Sequence, residues 1–269
     1  MNDFLTAARA TAGDPDSANW VDEVRSLELR RIREFLPPAG RVLDFGAGAG
    51  QQALRMRELG FEVAAVDLAS SPHLEKRVFD VATYDGITLP FPDHYFDVVM
   101  SSNVLEHVRD LPTTLRELQR VLKPDGTMLH VLPSSTWRLW STFAEFVAAP
   151  RNALRGVLRG PFGKCSGMAR WRWILSQLSW LGRPFLFRPH GEYGSAISEL
   201  WTFSQRAWRR RFAASDFCVV RTMPLTLWYT GEILLGARLP VHCRTRMSSW
   251  LGSATILYVI RARRGQVDR

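Results

Sequence analysis

The chain has few cysteines for its length. Only Cys165, Cys218 and Cys243 occur in 269 residues, and they are widely spaced and odd in number. This pattern argues against a disulfide framework and against a zinc site built from cysteine pairs. It is typical of a reducing compartment, and we therefore predict a cytoplasmic protein.

Long apolar runs are also missing. No stretch approaches the roughly 18 uninterrupted apolar residues that a membrane span needs, because Arg172 and Arg183 interrupt the best candidate. The segment MNDFLTAARATAGDPDS lacks a basic region followed by an apolar core, so we expect no secretory signal. Residues 1–18 are interpreted as a loosely docked leader.

Acidic residues are scarce in the second half of the chain. Residues 1–135 contain 14 Lys and Arg against 20 Asp and Glu, whereas residues 136–269 contain the other 21 against only 6. Nine of the ten tryptophans also lie in the second half. The net charge of +9 therefore conceals an acidic and a basic, Trp-rich region, which we expect to have different roles.

What the chain does contain is a glycine-rich turn after a short apolar run. Residues 41–50 read RVLDFGAGAG, a predicted buried strand that carries Asp44. Three glycines follow the acid: Gly46, Gly48 and Gly50. Behind them QQALRMRELG predicts a helix, and glycine lets backbone approach a ligand that a Cβ would exclude. A dinucleotide fingerprint needs a glycine where Gln51 stands, so that class is disfavoured.

The pattern D-x-G-x-G-x-G resembles motif I of the class I S-adenosylmethionine-dependent methyltransferases. The resemblance implies S-adenosylmethionine as cofactor and S-adenosylhomocysteine as product. This cofactor is a sulfonium cation without a pyrophosphate, so an acid beside the turn is compatible with it. A tight turn in some other α/β protein is the alternative that the motif alone leaves open.

A second apolar run, FEVAAVD, ends in Asp67, which lies 21 positions after Gly46. An acid about 20 residues after the glycine turn can accept hydrogen bonds from both ribose hydroxyls. We expect the neighbouring Leu68 to pack on the adenine face. A strand that ends in a solvated aspartate is the structural alternative.

The segments DGITLPF and FDVV resemble the central signature of the group that includes the ubiquinone and menaquinone methyltransferases. By that resemblance Asp85, with Gly86 beside it, accepts from the adenine amino group. Phe96–Ser101 becomes the fourth strand, and Ser102 and Asn103 reach the methionine end of the cofactor. Ligands of open α/β sheets bind at this carboxyl edge.

The run SNVLEHV continues the match and contains His107. An imidazole near neutral pH can take a proton from a hydroxyl or an acidic carbon during methyl transfer. Two alternatives remain open. His107 caps or packs the start of a helix, or the enzyme works by alignment and exclusion of water alone.

The apolar periodicity predicts a helix over 20–36 and another over 111–122, before LKPDG and a fifth strand. We interpret residues 19–133 as a cofactor-binding core. The resemblance implies a Rossmann-like, doubly wound α/β sheet of seven strands with an antiparallel last strand. Residues 201–269 complete this sheet and carry a second insertion at 224–252.

Residues 134–200 are interpreted as a helical, basic lid inserted on the substrate side. Their Trp, Phe and Leu residues alternate with Arg, which is typical of a segment lying on an anionic membrane surface. Three interpretations stay open: a membrane surface, a helical cap whose aromatic residues pack on the sheet, and a cavity for a lipid-like substrate.

Polar groups are rare in this insertion, and His190, Glu192 and Tyr193 stand together. Such groups orient an acceptor in an otherwise apolar pocket, although a loop with a capping glutamate is an equal alternative. No third ligand stands at a suitable spacing from the first two, so we predict no metal site. The arginines at 209–211 are interpreted as the polar side of a helix over 204–214, and we expect no nucleic-acid partner.

These patterns predict methyl transfer to oxygen or carbon of a hydrophobic or lipid-linked acceptor. His107 and His190 are the candidate catalytic residues, and the protein is expected to be peripheral on the inner membrane face. A methyltransferase of a small soluble metabolite and a non-catalytic adaptor that keeps the fold are the alternatives. The sequence leaves the oligomeric state open.

Overall fold

Seven strands form one mixed sheet in the computed structural model, which describes residues 15–158, 167–186, 188–230, 235 and 238–263. The strands are β1 (Arg41–Phe45), β2 (Glu62–Leu68), β3 (Val81–Tyr84), β4 (Phe96–Ser102), β5 (Leu122–Pro133), β6 (Phe217–Pro224) and β7 (Thr255–Ala262). Their order is β3-β2-β1-β4-β5-β7-β6, and β7 runs antiparallel to both of its neighbours. The predicted fold class, including the antiparallel last strand, is confirmed.

The order of the strands reverses between β1 and β4, which are parallel neighbours at the centre of the sheet. β1 also pairs in parallel with β2, and β2 with β3. The carboxyl ends of β1, β2, β3 and β4 therefore meet at one edge. A reversal of this kind opens a crevice for ligands outside the carboxyl ends of the strands.

Eight helices occur within the described ranges. They are α1 (Pro15–Ile32), α2 (Gln51–Glu58), α3 (Leu111–Val121), α4 (Ser135–Leu158), α5 (Gly167–Leu178), α6 (Ala196–Thr202), α7 (Gln205–Ala214) and α8 (Val241–Leu251). Short 3-10 turns span Arg33–Phe35, Leu74–Lys76, Leu105–His107 and Ser179–Leu186. Within these ranges, no helix is both long and apolar enough to cross a bilayer.

Two apolar layers fill the two faces of the sheet. On one face α3 and α7 pack against buried aromatic residues that include Phe45, Phe96 and Tyr258. On the other face α1 contributes Leu29 and Ile32 to a cluster with residues of β1, β4, β5 and β7. The central strands are thus covered on both sides, which is the usual state of parallel strands.

The first helix is longer at its start than the sequence predicted. α1 begins at Pro15, so the last four residues of the predicted leader are helical; residues 1–14 lie outside the described ranges. At the other end, α1 stops at Ile32 and a 3-10 turn continues the chain to Phe35.

The fifth strand begins earlier than predicted. β5 starts at Leu122, which pairs with Phe96, and the next pair joins Val98 to Thr127. The LKPDG segment therefore bulges out of the ladder, because its proline lacks the N–H that a regular strand needs. This irregularity lies at the amino end of β4, away from the carboxyl edge of the sheet.

The second insertion contributes to the core at both of its ends. Leu225 and Leu227 are fully buried, and Leu227 packs against Val24 of α1. Arg244 of α8 is 1% exposed and donates from Nε to the carbonyl of Leu239 at 2.9 Å. Residues 231–234, 236 and 237 of this insertion lie outside the described ranges.

Candidate active site

The glycine turn after β1 contains three residues in the left-handed region. Gly46, Gly48 and Gly50 have φ values of +73°, +58° and +82°. A Cβ on Gly46 or Gly50 would lie 2.5 Å from the side chain of Val104 or Phe79, so both glycines are required by packing. A Cβ on Gly48 would meet nothing nearer than His73, at 3.5 Å. The backbone at Gly48 is therefore open to a ligand.

Asp44 lies at the carboxyl end of β1 with 2% of its surface exposed. Its Oδ2 has no hydrogen-bond partner among the described residues. Burial raises the pKa of this carboxyl to about 7, and the amide of Ala53 opposes the shift. A buried acceptor without a partner beside an open backbone suits a ligand that carries a positive charge or a hydrogen-bond donor.

Asp67 at the end of β2 is joined to the glycine turn. Its Oδ2 accepts from the Gly48 amide and from the Ser71 hydroxyl, each at 2.9 Å, and its Oδ1 accepts from the Leu68 amide at 2.8 Å. These bonds fix the carboxylate directly beside the open backbone. Oδ1 retains a lone pair for a further donor, such as a ribose hydroxyl, whereas Oδ2 already accepts two hydrogen bonds.

Leu68 and Gly86 form two sides of one slot at the same edge. A Cβ built on Gly86 would lie 3.3 Å from Cδ2 of Leu68, which is 38% exposed. Next to this slot, Asp85 Oδ1 accepts from the amides of Thr88 and Ile87, each at 2.8 Å. These amide bonds lower the pKa of Asp85, so the carboxylate stays ionised at neutral pH.

Ser102 and Asn103, at the end of β4, both contact Arg25 of α1. Nη1 of Arg25 donates to Ser102 Oγ at 3.0 Å and to Glu28 at 2.6 Å. When the side-chain amide of Asn103 is oriented with its oxygen toward Arg25, that oxygen accepts hydrogen bonds from the guanidinium at 2.8 and 3.0 Å. Asn103 adopts φ +54°, a conformation that asparagine tolerates well. The sequence reasoning missed Arg25, because periodicity does not show what a polar residue contacts.

The two predicted histidines meet although 83 positions separate them. The ring centroids of His107 and His190 are 5.0 Å apart. Between them lies Glu106, whose Oε1 is 3.9 Å from Nε2 of each histidine. Neither carboxylate oxygen of Glu106 has a hydrogen-bond partner in the part of the chain that the structure describes. Glu106 precedes His107 in the run SNVLEHV, but its position along the chain does not reveal that it lies between two histidines.

Burial is the main cause of the shifted pKa values in this cluster. It raises the pKa of Glu106 to about 8 and lowers the pKa of His190 to about 3. The pKa of His107 is also lowered, since burial outweighs the opposing effect of Glu192. Both imidazoles are therefore neutral at pH 7, and neither supplies a positive charge to the carboxyl group between them.

The segment that carries His190 is held by a buried carboxylate on α6. Glu199 is fully buried, and its Oε1 accepts from the amides of His190 and Gly191, each at 2.7 Å. Its Oε2 lies 3.1 Å from Nε of Arg138 on α4, which is 5% exposed. Two elements of the lid insertion thus position one loop.

This loop lies directly on the 3-10 turn that follows β4. The amide of Glu192 donates to the carbonyl of Glu106 at 3.0 Å. A Cβ on Gly191 would lie 2.8 Å from the same carbonyl, so only glycine permits the close approach. The Glu192 side chain pairs with Arg109, while Tyr193 is 66% exposed.

The predicted cofactor residues thus fall into one crevice at the carboxyl edge of β1–β4. Asp67 and Asp85 offer acceptors for hydroxyl and amino groups, Leu68 offers an apolar surface, and Gly48 offers open backbone. Asp44 supplies a buried acceptor that lacks a partner within the described ranges. These groups fit an adenosyl group joined to a sulfonium and an amino acid.

Comparison with known proteins supports this assignment. A sequence family described as "Methyltransferase domain" matches residues 20–222. Malonyl-[acyl-carrier protein] O-methyltransferase of Halorhodospira halophila is 38% identical over 149 residues, covering 48% of this chain and 50% of that protein. Demethylmenaquinone methyltransferase of Corynebacterium efficiens is 37% identical over 106 residues, covering 37% of this chain and 45% of that protein. The chain thus spans about half the length of these curated relatives.

A solved structure with the same fold is 1,6-didemethyltoxoflavin-N1-methyltransferase of Burkholderia thailandensis, with bound 1,6-didemethyltoxoflavin and S-adenosylhomocysteine. It superposes with a TM-score of 0.50 at 15% identity and covers 98% of this chain and 87% of that one. Because the family profile matches most of the chain, the family is established. The chain belongs to the methyltransferase domain family.

Proposed function

We propose that this chain is an S-adenosylmethionine-dependent methyltransferase that methylates an oxygen or carbon of a hydrophobic or lipid-linked acceptor. We further propose that it acts while bound to an anionic membrane surface. The observation that carries the proposal is the way in which α4 exposes its apolar residues. The name of one relative, demethylmenaquinone methyltransferase, indicates a quinone-type acceptor for that protein.

After its first turn, which buries Trp137 and Arg138, helix α4 buries small residues and exposes large apolar ones. Its buried face consists mainly of Ala144, Ala148, Ala149 and Ala153. Leu139, Phe143, Val147, Leu154 and Leu158 are between 46% and 70% exposed. An amphipathic helix of a soluble protein normally has the opposite arrangement. An apolar stripe of this kind marks a surface that meets a partner, a membrane or an apolar ligand.

The exposed face continues onto the next elements. Met168, Trp171 and Leu175 of α5 are 73%, 66% and 62% exposed, and Leu186 at the end of the following 3-10 turn is 56% exposed. We call the exposed apolar residues of α4, α5 and this turn the lid face.

The charge around the lid face suits an anionic leaflet. Residues 134–190 contain nine Lys and Arg and a single acid, Glu145. A basic residue close to an anionic membrane surface contributes about 1 kcal/mol, and tryptophan prefers the interface between lipid and water. Apolar insertion and charge together support docking on the cytoplasmic leaflet.

The roles of the site residues follow from their chemistry. When bound, S-adenosylmethionine supplies an electrophilic methyl group on a sulfonium. We propose that Asp67 binds the ribose, Asp85 the adenine amino group, and Ser102 and Asn103 the methionine end. His107 and His190 meet the reacting group of the acceptor, and Glu192 and Tyr193 lie where the acceptor enters.

The identity of the acceptor is tested with methyl-labelled S-adenosylmethionine and fractionated cell extract. We expect the label in the organic phase, and the product mass then identifies the acceptor. Asp67→Ala is the matched control, since it should lose labelling while α4 is unchanged. Label that enters only aqueous products would contradict the lipid-type acceptor and favour a small soluble metabolite. Calorimetry that detects no binding of S-adenosylhomocysteine would favour the adaptor alternative.

A further inference from the structure

Glu106, His107 and His190 bring three potential metal ligands together. One ligand atom from each residue can be chosen so that all lie within 4.8 Å of one another. Glu106 and His107 are supplied by the 3-10 turn after β4, and His190 by the loop before α6. The cluster lies one short turn beyond Ser102 and Asn103.

The arginines near the cluster already have carboxylate partners. Arg25 is paired with Glu28 at 2.6 Å, and Arg138 lies 3.1 Å from Glu199. Glu106 has a side chain with no exposed surface, and both of its oxygens lack a hydrogen-bond partner within the described ranges. A buried carboxyl group in this state requires a proton or a cation.

We propose that Glu106, His107 and His190 bind a divalent transition-metal ion of the Zn²⁺ type. Two imidazoles and one carboxylate are a ligand set that suits zinc and the neighbouring first-row metals. Three protein ligands leave a coordination position open, as in catalytic sites. His107, whose side chain is 45% exposed, forms the side of the cluster that is accessible to solvent.

The three ligand atoms must move closer together to hold one ion. Ligand atoms around a tetrahedral zinc ion are about 3.4 Å apart when each bond is about 2.1 Å. Here Oε1 of Glu106 is 3.9 Å from Nε2 of both histidines, and the three ligand atoms all lie within 4.8 Å of one another. Side-chain rotation can close this difference, because the backbone of the loop is already fixed to the turn by the Glu192 amide.

The surroundings of His190 resemble the support that metal ligands need. Trp137 contacts its ring at a centroid distance of 4.6 Å, and Phe203 lies at 6.4 Å. Glu199 holds its backbone amide at 2.7 Å. Such packing and backbone hydrogen bonds hold the imidazole in a fixed orientation even without a bound ion.

The sequence alone predicted no metal site, because no third ligand stood at a suitable spacing from His190 and Glu192. The structure brings two groups from 83 and 84 positions earlier, and it pairs Glu192 with Arg109 instead. Spacing along the chain cannot reveal such a set.

The use of the ion rests on the function proposed above. Its open position would accept a hydroxyl oxygen of the acceptor and lower the pKa of that hydroxyl, with the proton released to water. A hydroxylated acceptor, such as a phenol or hydroquinone, is then the substrate class that the site favours.

Metal binding can be measured without cofactor or acceptor. We would titrate Zn²⁺ into the untagged chain by calorimetry and repeat the titration with Glu106→Gln, His107→Ala and His190→Ala. We expect one ion per chain and an affinity at least about tenfold weaker in each variant. His242→Ala is the control for an exposed histidine, and its affinity should not change.

Binding of S-adenosylhomocysteine shows in parallel that each variant is folded. No zinc binding by the wild-type chain, or equal binding by the wild type and folded variants, would overturn the proposal and leave Glu106 holding a proton. Because this titration omits cofactor and acceptor, its outcome is independent of whether the acceptor is hydrophobic.

Discussion

Helices α3 and α4 are neighbours in the chain, separated only by β5, yet they use their apolar residues in opposite ways. α3 buries Leu115, Leu118 and Val121 completely. α4 leaves Leu139 and Phe143 more than half exposed and packs alanines inward. The apolar residues of α3 are buried in the core, whereas the large apolar residues of α4 are exposed among the described residues. The difference separates the part of the chain that builds the fold from the part that we propose meets an apolar partner.

The first prediction compares one leucine from each helix. Leu118→Ala should destabilise the chain by about 2–5 kcal/mol, because it leaves a cavity in a filled core. Leu139→Ala should change the free energy of unfolding by less than about 0.5 kcal/mol, because the residue is largely exposed. Urea unfolding measures both. A loss of several kcal/mol in Leu139→Ala would show that the α4 face is packed in solution.

Acid should weaken the sheet region through His130 of β5. This histidine is fully buried, its Nδ1 lies 2.8 Å from Ser101 Oγ, and burial lowers its pKa to about 3. Below pH 6.5 the unfolded chain takes up a proton that the folded chain refuses, so this residue's contribution to stability is lost as pH falls from about 6.5 toward 3.

Comparing the free energy of unfolding of the wild type with that of His130→Gln isolates the effect of this histidine, because the other titrating groups contribute equally in both proteins. From pH 7 to pH 5 the wild type should lose about 2 kcal/mol relative to the variant, at about 1.4 kcal/mol per pH unit below 6.5. A pH-independent difference for His130→Gln would mean that its imidazole is protonated in the folded chain.

Loss of the Asp67 carboxylate, which we propose binds the ribose, should weaken cofactor binding and leave the lid face unchanged. Asp67→Ala should weaken binding of S-adenosylhomocysteine about 10- to 100-fold, since a hydrogen bond to a charged group contributes about 1.5–3 kcal/mol. Calorimetry measures this change. Leu139→Ala should bind the product as the wild type does, and unchanged affinity in Asp67→Ala would remove that residue from the site.

The sheet could be predicted from sequence because its elements are short and locally marked. An apolar run ending in Asp44 and a glycine turn define β1 and α2, and Asp67 ends the next run at the expected distance. Parallel strands bring their carboxyl ends to one edge of the sheet. The order of these residues along the chain was therefore enough to predict which polar groups gather at that edge.

The rest of the site depends on packing between distant elements. Arg25 meets Ser102 across 77 positions, and Glu106 meets His190 across 84. No periodicity specifies these contacts, because they depend on how α1 and the lid insertion fold over the sheet. The orientation of α4 was equally hidden: Trp137 packs inward with Phe203, while Phe143 points outward.

The central claim is that the lid face binds a membrane, and the most direct test is partition onto vesicles containing anionic lipid. We expect salt-sensitive binding of the wild type, weakened about three- to tenfold by Leu139→Ser or Phe143→Ser, because each loses roughly 1 kcal/mol of apolar burial. Val220→Ser, a change of an exposed residue on the edge strand β6, should bind as the wild type does. Absence of binding by the wild type, or equal binding by all three variants, would contradict the account.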